Sequence, residues 1–120
     1  MYQTDWLMFQ IELMVRGIVK LLFNKDTSVI YEIIDEMNYT ETDLLYERLK
    51  ELLADLKINE AENLLFDNID LDDKNYLLVA IDFYMQLNAF DDDTLEDNNF
   101  SRDEIYSGLS EIKEMYGIYF

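Results

Sequence analysis

The chain has 120 residues, 27 acids against nine bases, and a formal net charge of −18. Half of the residues are hydrophobic, which excludes the composition of a disordered chain and predicts one folded domain over residues 1–120. The chain contains neither cysteine nor histidine, which excludes disulfides, thiol nucleophiles, histidine bases and the usual zinc sites. We therefore expect no enzyme, no cofactor and no metal centre.

The acidic surplus also limits the classes of partner. Nucleic-acid recognition depends on clustered lysine and arginine, and anionic membranes attract basic segments, so we expect neither partner. The N-terminal residues lack the basic region and small-residue cleavage site of a signal peptide, which predicts a cytoplasmic protein.

The first predicted element is a long apolar helix over about residues 5–23. Glu12, Arg16 and Lys20 recur every four residues and form one narrow polar stripe, while most of the other positions are apolar. Such a helix is either enclosed by other helices of its own chain or covered by a partner. We favour a homodimer formed through this helix. Its contact residues would be the aromatic and methionine side chains Trp6, Met8, Phe9 and Met14.

Apolar spacing predicts further helices over about residues 28–37, 43–56, 59–66 and 73–88. The run Tyr76–Ile81 is continuously apolar, as in a buried strand. Apolar residues as far as Leu87 extend it beyond strand length, so we predict a central, mostly buried helix. Asp82 interrupts this run, which indicates a polar seam or a hydrogen bond to a tyrosine, with a catalytic carboxylate as the alternative.

An acidic ridge marks the helix over residues 43–56. Its members recur at every fourth position and are Asp43, Glu47, Glu51 and Asp55. Like charges at this spacing destabilise a helix slightly, and the macrodipole disfavours an acid near the helix C-terminus. A basic surface on a protein partner would explain the ridge, and so would a simple solvated face. We take it as the candidate partner-binding site.

The polar segment Asp91–Asn99 is predicted to be a surface loop. An EF-hand loop that starts at Asp70 or at Asp91 would lack the required glycine and the glutamate ligand. Weak cation binding at Asp91–Asp93 remains an alternative. Ser101 and Glu104 have the spacing of a capping box and predict the start of the last helix. Gly117 stands where the left-handed residue at the end of that helix is expected.

Residues 43–69 resemble a helical hairpin of the tetratricopeptide repeat. Ile58 stands in the aromatic position of the turn between its helices, and Glu60 and Ala61 stand in the usual Glu-Ala positions. Leu56 stands where the repeat has glycine, and the closing proline is missing.

The whole chain also resembles a family of small, acidic, all-helical bacterial proteins of unknown function. The resemblance is carried by the segments Met1–Asp5, Leu22–Asp26, Asn59–Leu65, Phe83–Asn88 and Asn99–Ile105. It implies a tetratricopeptide-like helical fold in a cytosolic bacterial protein and implies no catalytic residues.

These observations predict an all-α domain of five to six helices, with tetratricopeptide-like hairpins and a long apolar N-terminal helix. The predicted function is a non-catalytic protein-interaction module. The alternative is an acidic protein that mimics nucleic acid and inhibits a DNA-binding protein by occupying its basic groove.

Overall fold

The computed structural model describes residues 2–23 and 41–120, and these residues form helices and turns without a strand. Its helices are α1 (Tyr2–Phe23), α2 (Glu41–Ala54), α3 (Ile58–Asp67), α4 (Lys74–Ala89), α5 (Asp92–Asp97) and α6 (Arg102–Met115). The predicted all-α class is confirmed. The helix predicted over about residues 28–37 lies outside the described residues.

Helix α4 forms the centre of the molecule. Every residue from Tyr76 to Tyr84 is buried, and the helix packs against α1, α2 and α6. Asp73 begins α4 as its N-cap, because its side chain accepts a hydrogen bond from the backbone N–H of Asn75 at 2.8 Å. The predicted central helix is therefore confirmed, and the strand alternative is wrong.

Among the described helices, α1 packs mainly against α4 and α6, and it does so with one side. Ile11, Val15 and Ile18 on that side are buried, whereas Glu12, Arg16 and Lys20 are exposed. The predicted helix is long, with 22 residues, but the prediction that it is apolar is wrong. Helix α1 is amphipathic, because its charged side chains all remain in water. In the described part of the chain, no helix combines the length and the apolar character needed to cross a membrane.

The turn between α2 and α3 uses an unusual backbone conformation. Leu56 has φ +58°, the left-handed region that glycine adopts most easily. The N–H of the following residue, Lys57, donates to the carbonyl of Leu52 at 2.9 Å, which ends α2 in the manner of a Schellman motif. Leu56 thus adopts, at the end of α2, the conformation for which glycine is favoured.

The segment after α4 corrects one expectation. Residues Asp91–Asn99 were predicted to be a loop, but Asp92–Asp97 form the short helix α5. Its N-cap is Asp91, whose side chain accepts a hydrogen bond from the N–H of Thr94 at 2.7 Å. An acid at the cap and acids in the first turn favour a helix, because they oppose the positive end of its dipole.

The last helix begins and ends as predicted. The Ser101 side chain accepts a hydrogen bond from the N–H of Glu104 at 3.3 Å, and Gly117 has φ +73° after the helix. The N–H of Ile118 then donates to the carbonyl of Lys113 at 3.1 Å. Ile118 is buried, so this turn directs the following residues back onto the helices.

Candidate functional site

One exposed face of α1 carries a row of large apolar side chains. Trp6, Phe9, Leu13 and Leu21 follow the spacing of one helical face, with Gly17 between the last two. Phe120 packs over Gly17, since a Cβ built on Gly17 would lie 2.7 Å from the Cζ of Phe120. We call the resulting row the α1 face, and its members are Trp6, Phe9, Leu13, Leu21 and Phe120. Each is between 41% and 63% exposed.

Phe120 is held against α1 by the last helix. Lys113 Nζ lies 4.5 Å from the centre of the Phe120 ring and 3.3 Å from the backbone oxygen of Phe120, to which it donates a hydrogen bond. Beside this ring, Leu13 and Tyr106 line a groove of about 310 Å³ between α1 and α6. The α1 face therefore joins two elements that are far apart in the sequence.

Two of the four residues predicted for self-association lie on the α1 face. Trp6 and Phe9 are exposed there, whereas Met14 is 7% exposed and lies in the core, within 3.8 Å of the Ser110 hydroxyl. Met8 is half-buried in a second groove, between α1 and α4. Met14 points inward because α6 packs on that side of α1, so it lies away from the α1 face.

The predicted acidic ridge is only partly a helical ridge. Glu47 and Glu51 are exposed on α2, and Glu51 accepts a hydrogen bond from Arg48 at 3.1 Å. Asp55 is also exposed but follows the end of α2 at Ala54. Asp43 belongs to α2, but its side chain lies outside the described part of the structure.

A second acidic surface, which the sequence did not indicate, lies between α3 and α6. Glu62, Glu104 and Glu111 line a shallow groove around Gly108. The hydroxyl of the buried Tyr84 donates a hydrogen bond to Glu62 Oε2 at 2.8 Å. Burial raises the pKa of Glu62, the Tyr84 hydrogen bond lowers it, and the charges of Glu104 and Glu111 raise it further; the net shift is upward. Burial also raises the pKa of Tyr84, so this hydroxyl remains a donor at neutral pH.

Gly108 permits the contact between α4 and α6 beneath this groove. A Cβ at Gly108 would lie 2.3 Å from the Tyr84 hydroxyl and 2.9 Å from Glu62 Oε2. A glycine within a helix is unfavourable by about 1 kcal/mol relative to alanine, which makes it a sequence signal for such close approach.

Two buried polar side chains, Arg102 and Asp82, form hydrogen bonds within the fold. Arg102 donates to the carbonyl oxygens of Asn88 at 2.6 Å and Phe90 at 2.9 Å, and to Asp92 Oδ1 at 2.9 Å. It therefore satisfies acceptors at the C-terminal end of α4 and connects them to α5. Asp82 is fully buried, and its Oδ2 accepts a hydrogen bond from Gln86 at 2.5 Å. This contact agrees with the polar seam expected at Asp82.

Acidic side chains around α5 also form hydrogen bonds and an ion pair within the fold. The hydrogen bonds from Thr94 lower the pKa of Asp91, and Asp92 forms an ion pair with Arg102. Among the residues that the structure describes, no group of acidic side chains is arranged to hold a metal ion.

Comparison with known proteins identifies a family. Neither the curated proteins nor the solved structures contain a significant relative of the chain. A family model described as "Family of unknown function (DUF6483)" matches residues 1–117. The chain, matched over nearly its whole length, belongs to this family of unknown function.

Proposed function

We propose that the chain is a non-catalytic protein-interaction module and that the α1 face is its binding surface. The observation that carries this proposal is the continuous row of exposed apolar side chains on that face. Soluble monomers rarely expose large contiguous apolar patches, and such patches mark interaction sites when polar residues surround them. Here Asp5, Glu12, Arg16 and Lys20 border the row along one side of α1.

The composition of the face also suits binding. Tryptophan and phenylalanine are enriched at the centres of interfaces, where they bury a large area with few rotatable bonds. Trp6 is the one tryptophan of the chain and is 60% exposed, although tryptophan is strongly buried on average. A partner that covers Trp6 and Phe9 would bury both rings without a rearrangement of the core.

The packing of α2 against α3 supports the proposal of a scaffold for protein binding. We propose that α2 and α3 form a tetratricopeptide-like hairpin, because Ile58 and Ala61 are buried at its turn and Leu56 supplies the left-handed residue. Proteins built from such repeats use stacked hairpins to present binding surfaces. We also propose a cytoplasmic, bacterial setting, as the resemblance implies.

The proposal is tested by immobilising three versions of the chain and identifying the proteins that each retains. The versions are the unchanged chain, the double variant Phe9→Glu/Leu13→Glu, and the control Leu44→Glu. Leu44 is 59% exposed on α2 and thus matches the substituted residues in type and exposure but lies outside the α1 face. We expect the unchanged chain and the control to retain the same protein, and the double variant to lose it. Retention that is equal for all three versions would contradict the proposal.

A second candidate function is the acidic mimic of nucleic acid. Between described residues the structure contains two ion pairs, Arg48–Glu51 and Arg102–Asp92, while acidic side chains remain exposed along α2, α3 and α6. The negative potential of these side chains attracts a basic groove, and the attraction weakens as the salt concentration increases.

Competition against DNA for a basic DNA-binding protein tests this candidate. A mimic would displace the DNA, and Glu47→Lys/Glu51→Lys would displace less, whereas Phe9→Glu/Leu13→Glu would be unaffected. If Phe9→Glu/Leu13→Glu reduced the displacement of DNA and Glu47→Lys/Glu51→Lys did not, the mimic would be contradicted.

A further inference from the structure

We propose that the α1 face binds a second copy of this chain, with the two α1 helices antiparallel about a two-fold axis at Leu13. This inference rests on the proposed function, because it names the partner of the same binding surface. It is carried by the distribution of charge along α1, by the register of its apolar side chains and by its length.

The charges of α1 complement one another when the helix is reversed. The exposed acids Asp5 and Glu12 lie in its first half, and the exposed bases Arg16 and Lys20 lie in its second half. These charges sum to zero in a chain whose net charge is −18. The exposed charges of α1 therefore add no net repulsion of their own, and the repulsion that remains between two copies comes from the rest of each molecule.

The direction of the second helix follows from the same charges. An antiparallel copy centred on Leu13 places Asp5, eight residues before the centre, beside Lys20, seven residues after it. Opposite charges then meet at both ends of the helix pair, and charge complementarity fixes the register of an interface. A parallel copy would place Asp5 beside Asp5 and Lys20 beside Lys20, which is unfavourable.

The apolar side chains occupy matching heights in this arrangement. Phe9 lies four residues before Leu13, and Gly17, which Phe120 covers, lies four residues after it. Each distance is about 6 Å along the helix. Phe9 of one copy therefore meets Phe120 of the other, Leu13 meets Leu13, and Trp6 meets the stem and ammonium of Lys20. Aromatic pairs and cation–π contacts of this kind stabilise interfaces.

The helix is long enough for a stable interface. Its 22 residues extend over about 33 Å, and the molecule measures 39 × 31 × 24 Å. A standard interface buries about 800 Å² on each partner, which is about one ninth of the 7260 Å² surface of this chain. One helix face of this length, with the adjoining Tyr106 and Phe120, supplies an area of that order.

The oligomeric state is the first test. Sedimentation of the 120-residue chain across a wide concentration range should show a reversible dimer with twice the mass of 14.4 kDa. Trp6 fluorescence should shift to shorter wavelength over the same range, because the ring leaves water. Phe9→Glu and Leu13→Glu should remain monomeric, and Leu44→Glu should form the dimer like the unchanged chain. The substituted side chains are exposed in the monomer, and circular dichroism checks that each variant is helical.

Salt dependence separates a second copy from a basic partner. Raising the salt from about 0.05 to about 0.5 M screens the repulsion between two acidic copies, so the dimer should become tighter. Binding of a basic partner to the acidic surfaces should instead become weaker.

Cysteine cross-linking tests the geometry, since the chain has no native cysteine. Leu13→Cys should form a disulfide-linked dimer under mild oxidation, because the two residues face each other across the axis. Asp5→Cys/Lys20→Cys should also be linked between copies, whereas Asp5→Cys alone and Leu44→Cys should not. Efficient linkage of Asp5→Cys alone would overturn the antiparallel arrangement.

A chain that is monomeric at all concentrations would overturn the proposal of a second copy. If that monomer still retains another protein through the α1 face, the proposed function stands and only the identity of its partner is wrong. If Phe9→Glu/Leu13→Glu also retains the same proteins as the unchanged chain, both proposals fail.

Discussion

Leu56 and Asn99 are the described non-glycine residues with positive φ, and of the two leucine tolerates this conformation less well. The Leu56 φ of +58° places Cβ close to the following carbonyl, which is unfavourable by about 1–2 kcal/mol for an ordinary residue. The side chain is 40% exposed, so removing it loses only part of its burial. We expect Leu56→Gly to raise the free energy of unfolding by about 0.5–1 kcal/mol in urea denaturation.

The matched control for this substitution is Ala54→Gly. Ala54 is exposed and is the last residue of α2, so glycine there adds backbone freedom without relieving strain. We expect this variant to be less stable than the unchanged chain by up to about 1 kcal/mol. Equal effects of the two glycines would contradict the interpretation of Leu56.

Gly108 and Gly17 both lie under an aromatic residue, but their surroundings differ. Tyr84 above Gly108 is fully buried and cannot move aside, whereas Phe120 above Gly17 is 63% exposed and can. We expect Gly108→Ala to destabilise the protein by about 1–3 kcal/mol through overpacking. Gly17→Ala should change the stability by less than about 0.5 kcal/mol and displace Phe120. Thermal unfolding of the two variants measures the difference.

Glu62 makes stability depend on pH. Its pKa is raised in the folded state, so the folded chain binds this proton more tightly than the unfolded chain. The contribution of Glu62 is complete below its unfolded pKa and is lost as pH rises through the raised folded pKa. Glu62→Gln keeps an acceptor for Tyr84 without the charge, so its stability relative to the unchanged chain should increase from pH 4 to pH 7. The exposed Glu60→Gln on the same helix is the control, and an equal trend in both would contradict this assignment.

At the scale of elements, Arg102 connects α4, α5 and α6 through one guanidinium group. Its removal leaves the carbonyls of Asn88 and Phe90 without their donor at the end of α4. We expect Arg102→Met to lower the free energy of unfolding by about 3 kcal/mol. Asp92→Asn should cost less than about 1 kcal/mol, because the Asp92 side chain is 54% exposed and the carbonyl contacts remain. Similar losses in both variants would show that the ion pair, rather than the carbonyl contacts, carries the effect.

The helices were predictable where local chemistry decides them. Ser101 and Gly117 mark the ends of α6, and the apolar run around Tyr76–Tyr84 identified α4, because caps and hydrophobic length are local signals. Helix α5 was missed because its acids suggested a solvated loop. In fact Asp91 caps the helix and Arg102, ten residues beyond Asp92, neutralises its first turn.

The functional surfaces were less predictable because they depend on packing between distant elements. Trp6, Phe9 and Met14 all lie on one helix, and only the position of α6 decides that Met14 is inside while the aromatic rings are outside. The groove around Gly108 unites Glu62, Tyr84 and Glu111 from three helices. No local pattern relates these positions, apart from a glycine in the interior of a helix.

At the scale of the whole molecule, α1 closes the fold by packing on α4 and α6, which lie far from it in the sequence. Residues 61–120 carry 15 of the 27 acids and include α4, α5 and α6, whereas the exposed charges of α1 sum to zero. This separation of charge is what the salt dependence of the proposed dimer measures.

The burial of α4 has a consequence for how the molecule opens. Because α1, α2 and α6 all pack against it, loss of any one of these helices leaves two others covering Tyr76–Tyr84. The amide hydrogens of this segment should therefore exchange with deuterium only when the entire chain unfolds, whereas those of the short α5 should exchange through local opening. Exchange rates along α4 thus report the global free energy of unfolding directly, without denaturant. An α4 that exchanges as fast as α5 would mean that the central helix is exposed by partial unfolding.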